Sequence, residues 1–206
     1  MTSDLLDHPP RTFSLAKIAP QRWRNGGGLT REILVLPCAD GRDWDCRVSV
    51  ADIEHDGPFS TFDGIDRTAV LLEGPGLLLQ GAAAGESVRF EHVAAVNRFA
   101  GETPLVARLP GTSARLFNVM HRRSAFVAQA DAHRADGGKL LDRDCTTVVL
   151  AYAGRFDLSF EGETDGRLAI TLSSGSGMVV FDRRASLDWR PRQENGLLII
   201  VTLARG

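Results

Sequence analysis

Short apolar segments follow one another along the whole chain, separated by glycine, proline, aspartate and asparagine, whereas helical periodicity is almost absent. Many short segments at this spacing are typical of an all-β sandwich or barrel. We therefore predict an all-β protein. The predicted strands are 11–18, 30–36, 45–53, 68–72, 76–80, 87–90, 106–109, 114–121, 124–129, 145–151, 155–160, 167–172, 177–181, 187–190 and 197–203.

A weak internal repeat organises these strands. It pairs Gly74 with Gly154, Gly85 with Gly175, and the segment 114–120 with 196–202. The order of strands and glycine turns suits two copies of a jelly-roll half-barrel, although glycine-bounded apolar strands resemble one another in any all-β protein. With the glycine-rich break near 137, this predicts a first half over 1–137 and a second half over 138–206.

Composition excludes several classes of partner. The 206 residues are 43% hydrophobic, which suffices for a core, and the formal charge is −2. We therefore expect no nucleic-acid partner and no membrane partner. The acidic start lacks the basic and apolar regions of a signal peptide, and three widely spaced cysteines do not form a disulfide framework. We expect a cytoplasmic protein.

Three consecutive glycines at 26–28 precede the predicted strand 30–36. Glycines in this number indicate a backbone with positive φ, or a very close approach to another group. A phosphate loop would need a following Lys-Ser/Thr and a helix, and a dinucleotide fingerprint would need a strand before it and a helix after it. Because a strand follows here and no lysine is near, nucleotide binding is disfavoured.

Five blocks follow one another between positions 23 and 123. They are Trp23-Arg24-Asn25-Gly26-Gly27-Gly28-Leu29-Thr30-Arg31-Glu32-Ile33, Trp44-Asp45-Cys46-Arg47-Val48-Ser49-Val50-Ala51, Asp56-Gly57-Pro58-Phe59-Ser60 with Phe62-Asp63-Gly64-Ile65-Asp66-Arg67, Phe99-Ala100-Gly101-Glu102, and Phe117-Asn118-Val119-Met120 with Arg122-Arg123. In this order the blocks resemble the HutD/Ves family of bacterial proteins. One position departs from the family pattern, because Leu116 stands where an acidic residue usually precedes the Phe-Asn pair. The resemblance implies a bicupin, with two cupin-like β-barrel halves, and a link to histidine utilisation or to stress response, without an established catalytic activity.

The histidines do not form the set that holds a metal in many cupins, which places two histidines close together on one strand. His8 and His133 lie in polar segments, His92 lies at a predicted strand end, and His121 precedes two arginines. We expect surface or rim histidines, no bound metal and no cofactor. No Gly-x-Ser-x-Gly elbow is present, and no histidine accompanies the cysteines, so nucleophilic catalysis is also disfavoured.

A polar lining is the remaining candidate site. Side chains alternate along strands, so Thr30, Glu32 and Leu34 should share one face of their strand, as Arg47 and Ser49 should share one face of the next. If the two strands pair, their polar residues and Asn118 could line one cavity, where arginine donors suit a ligand carboxylate. The alternative is an exposed cross-strand ion pair between Glu32 and Arg47.

The loop over 56–67 combines turn signals with apolar residues and predicts a compact loop with a small core of its own. Ser60, Asp66 and Arg67 could reach the mouth of a cavity or tie the loop down by hydrogen bonds. Trp23 could pack on the glycine loop or stack on a ligand. With Asn25 of the first block, these residues complete the predicted ligand-binding set.

Three functions remain open. The preferred one is a non-enzymatic binder of a small anionic metabolite, which by family resemblance would be urocanate or a formylated or formiminated glutamate, tuning histidine utilisation. The second is a metal-independent isomerase or hydrolase in which Glu32 is the acid or base. The third is a stress-linked protein that acts through a partner, and a homodimer is compatible with all three.

Overall fold

The computed structural model describes residues 9–23, 26–38, 41, 44–83, 85–162 and 167–206, without the side chains of 141–143, 162 and 182–184. The described chain is all-β, as predicted, apart from one 3-10 turn at Leu15–Lys17. Its first strands are β1 (Arg11–Ser14), β2 (Gln21–Arg22), β3 (Gly28–Leu36), β4 (Cys46–Ile53), β5 (Gly57–Phe59), β6 (Ile65–Glu73), β7 (Leu77–Gly81), β8 (Val88–Phe90), β9 (Val96–Ala100), β10 (Leu105–Arg108) and β11 (Ala114–Arg122). The later strands are β12 (Phe126–His133), β13 (Gly138–Ala153), β14 (Arg155–Gly162), β15 (Arg167–Ser173), β16 (Ser176–Pro191) and β17 (Leu197–Arg205).

These strands form three sheets with antiparallel pairing. One sheet has the order β2-β3-β4-β11-β6-β9, and a second has the order β5-β10-β7-β8. The third has the order β12-β17-β13-β16-β14-β15, with β1 on β16. Most pairings join strands far apart in sequence, so burial of their apolar faces, rather than local propensity, holds the sheets together.

The chain divides into two compact units. One contains residues from Ile18 to Ala128, and the other combines the part up to Lys17 with Gln129–Arg205. This division differs from the predicted halves 1–137 and 138–206, because β1 pairs with β16 instead of joining the strands that follow it. The boundary between the two units falls between Ala128 and Gln129, within β12, and not at the glycine pair near 137.

Each unit has its own apolar core. In the unit from Ile18 to Ala128, the core includes Leu71, Leu79, Phe90 and Leu116, all at most 1% exposed. The departure from the family pattern at Leu116 thus places an apolar side chain in an apolar cluster. The other unit buries an aromatic and aliphatic cluster that includes Phe156, Leu158, Met178, Trp189 and Ile200. Such contacts supply most of the stability of an all-β unit.

The neighbouring strands β3, β4, β11 and β6 form the part of the sheet that carries the polar side chains. β3 pairs with β4 and β6 pairs with β11, so the four strands are neighbours in one sheet. The predicted pairing of β3 with β4 is confirmed. A register shift between Glu32 and Leu34 makes Leu34 pair with Val48, so Leu34 does not share a face with Glu32 as the simple alternation predicted.

Sequence patterns located the long strands and missed short or polar ones. The pattern left β2, β5 and β9 as loops, and it predicted two strands, 177–181 and 187–190, where β16 runs unbroken from Ser176 to Pro191. In the part of the chain that the structure describes, no helix is long and apolar enough to span a membrane.

Candidate functional site

A cavity of about 330 Å³ lies within the unit from Ile18 to Ala128. Eight of the ten predicted ligand-binding residues line it, although they are spread over almost 100 positions of the chain. The lining consists of Gln21, Arg22, Trp23, Thr30, Glu32, Arg47, Ser49, Ala51, Phe59, Ser60, Phe62, Arg67, Asn118 and Met120.

Strand pairing brings these side chains together. Ser49 is paired with Glu32 on one side and with Asn118 on the other. Met120 is paired with Arg47 and with Arg67. Directly paired residues of antiparallel strands point to the same face of a sheet. Each of these two rows of three side chains therefore faces the cavity, and together the rows span four strands. The register of the strands therefore explains why the predicted residues lie together, namely Thr30, Glu32, Arg47, Ser49 and Asn118.

Arg67 is the most deeply buried charged group of the cavity, with 6% of its surface exposed. Its Nη1 donates to the backbone oxygen of Ser60 at 3.2 Å, and its Nη2 lies 3.5 Å from Oδ1 of Asn118. The guanidinium carbon lies 4.3 Å from the centre of the Phe59 ring and 5.2 Å from that of Phe99. Among the described residues, no carboxylate lies within ion-pair distance of Arg67.

Burial makes the charge of Arg67 costly. Loss of hydration, together with the neighbouring positive charge of Arg47, lowers the pKa of Arg67 well below its usual range, to about 9. Its Nε is also buried and has no hydrogen-bond partner among the described atoms. A cation taken out of water needs an anion or a full set of acceptors. Arg67 has neither in the described structure, and it faces an open cavity.

Arg47 is less deeply buried than Arg67, and it lies next to an acidic residue. Its Nη1 lies 3.7 Å from Oε1 of Glu32, and its Nη2 lies 3.3 Å from the sulfur of Met120. The guanidinium carbon is 5.0 Å from the ring centre of Trp44. Burial lowers the pKa of Arg47, and the charge of Glu32 opposes that change. The Glu32–Arg47 pair is partly buried rather than a fully exposed surface pair, with side chains 29% and 23% exposed.

The mouth of the cavity is built from β2 and the start of β3. Gln21 Nε2 donates to Oε2 of Glu32 at 3.3 Å. The indole Nε1 of Trp23 donates to Oγ1 of Thr30 at 2.7 Å, and the Trp23 ring meets that of Phe59 edge to face at 6.3 Å. Trp23 therefore packs on Phe59 and lines the cavity, and its contact with a ligand stays a prediction.

Asp66 does not belong to the site. It precedes Arg67 on β6, so its side chain points to the opposite face of the sheet. There its Oδ1 accepts from Nε of Arg123 at 2.5 Å, and Nη2 of Arg123 reaches Glu102 at 2.6 Å. The inclusion of Asp66 among the ligand-binding residues is therefore corrected. Asn25, also in that set, lies outside the described residues.

Several lining residues were not predicted. Gln21 and Arg22 lie on the two-residue strand β2, too short to produce a periodic signal. Phe59 and Phe62 belong to the loop that was expected to have a small core of its own. Instead, the ring of Phe59 lies against the guanidinium group of Arg67, and the ring of Phe62 lies against that of Arg47. The available signal was the pair of phenylalanines, Phe59 and Phe62, a few residues before Arg67, because flat arginine side chains stack on aromatic rings.

The described histidines lie outside this cavity, and His8 lies outside the described residues. His55 and His92 are exposed, as expected for His92, whereas His121 is only 7% exposed and was wrongly placed at a rim. His133 was expected in a solvated segment, but it packs on Trp189 with ring centres 4.6 Å apart, and burial lowers its pKa. The described residues contain no group of three or more His, Cys, Asp or Glu that could hold a metal ion. Metal independence stays a prediction.

Comparison with known proteins gives consistent matches over most of the chain. The sequence model of the HutD family matches residues 15–198. Protein Ves of Citrobacter koseri is 31% identical over 194 residues, covering 87% of this chain and 94% of that protein. An uncharacterized 21.2 kDa protein from the hutC 3′ region of Pseudomonas putida is 34% identical over 152 residues, covering 72% of this chain and 76% of that protein.

Solved structures show the same fold. HutD from Pseudomonas fluorescens SBW25 superimposes with a TM-score of 0.81 at 19% identity, covering 96% of this chain and all of that one. An oxalate decarboxylase from Lactobacillus farciminis, solved as a formate complex, superimposes with a TM-score of 0.63 at 9% identity, covering 93% and 85% of the two chains. At these identities the superpositions describe a shared cupin-like architecture.

Proposed function

The chain belongs to the HutD family, and on that premise we propose that it is a small-molecule-binding protein whose ligand is a small organic carboxylate. One observation carries the proposal: Arg67 is a buried guanidinium that faces a cavity and lacks a carboxylate partner among the described residues. A ligand anion would replace the hydration that Arg67 has lost.

A carboxylate suits this cavity better than a large anion. Its two oxygens match the paired N–H groups of a guanidinium, and the amide of Asn118 beside Arg67 offers a further donor. The volume of about 330 Å³ is at the small end of the range for ligand sites. The rings of Phe59, Phe62 and Trp23 provide apolar walls for the body of the ligand.

The family connects the proposal to metabolism. A relative is named for its position in the hutC 3′ region of Pseudomonas putida. We propose that the ligand is an intermediate of histidine degradation, such as urocanate or a formyl- or formimino-glutamate, and that binding in the cytoplasm modulates histidine utilisation. The proposed role is that of a binder, because no hydroxyl group of the lining is hydrogen-bonded to the Glu32 carboxylate among the described residues, and such a bond would be needed to activate a nucleophile.

We also propose that the chain is a bicupin. Two features support this: the cupin-like architecture of the solved relatives and the backbone at the glycines of the repeat. Gly74 and Gly154 are aligned by the repeat and both have positive φ, as do Gly85 and Gly175. Only the first half would carry the ligand, because the cavity lies entirely within the unit from Ile18 to Ala128.

A thermal-shift titration tests the binding function. The wild type would be compared with Arg67→Met and with the matched control Arg123→Met, whose arginine pairs with Asp66 away from the cavity. Urocanate, N-formyl-glutamate and N-formimino-glutamate would be added separately. At 100 times Kd a ligand should add about 2.7 kcal/mol of stability to the wild type and the control, and none to Arg67→Met.

The outcomes separate binding from other roles. If none of the compounds shifts the melting temperature of the wild type at millimolar concentration, the binding assignment is wrong. If a compound binds and is also converted, the alternative of an enzyme with Glu32 as acid or base replaces the non-enzymatic one. Turnover of each compound would therefore be followed by its absorbance or by chromatography during the same titrations.

A further inference from the structure

The charges that line the cavity do not balance. Arg47 and Arg67 contribute two positive charges, and Glu32 contributes one negative charge. Arg22, the other arginine of the lining, is 64% exposed and pairs with Glu54 at 3.6 Å, outside the cavity. The interior therefore carries an excess of one positive charge, which one negative charge on a ligand would neutralise.

The position of Glu32 decides where that excess lies. Glu32 is next to Arg47, at 3.7 Å, and accepts a hydrogen bond from Gln21. Arg47 is therefore compensated by the protein, and Arg67 is the cation without compensation among the described residues. A first ligand carboxylate would be held at Arg67 and Asn118. A second carboxylate on the same ligand would have to share Arg47 with Glu32, and like charges confined in a partly desolvated site repel strongly.

We infer that Glu32 makes the cavity selective for monoanionic carboxylates over dianionic ones of the same shape. The inference rests on the proposed function and narrows its class of ligand. Among the compounds named there, it favours urocanate, which has one carboxylate, over N-formyl-glutamate, which has two. Glu32 is then a specificity-determining residue that acts by excluding ligands rather than by attracting one. Selectivity of this kind, in which an unfavourable charge rejects the wrong ligand, is a general means of discrimination.

The test uses two ligands that differ by one charge and almost nothing else. N-formyl-L-glutamine carries one carboxylate, and N-formyl-L-glutamate carries two on the same skeleton. A second pair, succinamate and succinate, repeats the comparison on a smaller body. Affinities would be measured by calorimetry in one buffer at constant ionic strength, because charge effects depend on salt.

In the wild type, the monoanion of each pair should bind at least tenfold more tightly, which corresponds to about 1.4 kcal/mol. Glu32→Gln removes the negative charge at nearly constant shape and should abolish or reverse the preference. Glu32→Asp keeps the charge and should retain it. Asp66→Asn removes a carboxylate from the opposite face of β6 and should leave the wild-type ratio unchanged. The melting temperature of each unliganded variant would be recorded to show that it is folded.

Two failures are distinguishable. If both members of a pair bind the wild type equally, or if Glu32→Gln leaves the ratio at its wild-type value, the cavity binds carboxylates but Glu32 does not select among them. If no carboxylate of either pair binds, and the histidine-pathway compounds fail as well, the binding function itself is wrong and the selectivity falls with it.

Discussion

Arg47 and Arg67 face one cavity with the ring of Phe62 beside both: its centre is 5.5 Å from the guanidinium carbon of Arg47 and 6.0 Å from that of Arg67. Two like charges would normally avoid such proximity. The aromatic rings around them offer their negative faces and fix the two side chains. The arginines are thus arranged before any ligand arrives, which reduces the ordering cost of binding.

Ligand affinity should depend on pH through Arg67. Its pKa is lowered to about 9 in the unliganded protein, and a carboxylate ligand favours the protonated guanidinium. Affinity should therefore have its maximal value well below pH 9 and should fall as the pH rises above that value, by up to about tenfold per pH unit. Calorimetry between about pH 7 and about pH 10 would measure this, with circular dichroism at each pH to show that the fold persists. A constant affinity over that range would contradict the prediction.

The hydrogen bond from Trp23 to Thr30 should be measurable as a coupling energy. Its length of 2.7 Å and its partly buried position at the cavity mouth indicate a well-formed bond. Trp23→Phe and Thr30→Val should each lower the free energy of unfolding, and the double variant should lose less than the sum, by about 0.5–1.5 kcal/mol. Urea unfolding of the four proteins gives the cycle. Strict additivity would show that the bond contributes nothing.

The strands that carry the site were predictable because their signal is local. Alternation along β3 and β4, with polar residues at every second position, is enough to place Thr30 with Glu32 and Arg47 with Ser49. Their convergence with Asn118 depends on β11 pairing with β4, a contact between segments more than 60 residues apart. No local pattern encodes that pairing, and the family resemblance contributed only that these residues lie in signature blocks.

Arg67 shows the limit of reasoning from local sequence. The predicted strand began at 68, which left Arg67 in a loop with two equal roles, whereas β6 begins at Ile65. The sequence around it contains an aspartate, an arginine and turn residues, which favour exposure. Its burial arises from Phe59 and Phe99, and these belong to different strands of different sheets. Tertiary packing therefore overrode a polar local composition.

Replacing different glycines of the run 26–28 by alanine should lower the stability of the protein for different physical reasons. A β-carbon on Gly28 would overlap the backbone oxygen of Asp52, whereas one on Gly26 would meet no heavy atom within 4 Å. Gly26 instead has a φ of +72°. Gly28→Ala should therefore cost about 1–3 kcal/mol through displacement of paired strands, and Gly26→Ala about 1–2 kcal/mol through backbone strain alone.

The binding data should separate the two glycine variants further. Gly28 opens β3, so its displacement should also move Thr30 and Glu32 in the cavity lining and weaken carboxylate binding at Arg67. Gly26→Ala should bind as the wild type does. Thermal unfolding of each variant, without and with ligand, measures both quantities. If Gly28→Ala binds normally and is as stable as the wild type, the close approach to Asp52 has no energetic consequence.

The three cysteines should differ in reactivity. Burial, reinforced by the negative charge of Asp45, raises the pKa of the Cys46 thiol to about 12, and Cys145 is also buried. Cys38 is partly exposed. Since the thiolate is the reactive form, Ellman's reagent at about pH 8 should label one thiol in the folded protein and all three in urea. Fast labelling of Cys46 in Cys38→Ser would show that β4 opens readily.

The alternation along β4 and β11 separates two kinds of residue within the same strands. Arg47, Ser49, Asn118 and Met120 face the cavity, while the residues between them, such as Val48 and Val119, are fully buried on the other face. During evolution, substitutions at every second position can change the chemistry of the cavity while the intervening apolar contacts are kept. The same fold can therefore serve different pathways in different proteins, since the residues that contact a ligand and the residues that stabilise the fold occupy separate positions.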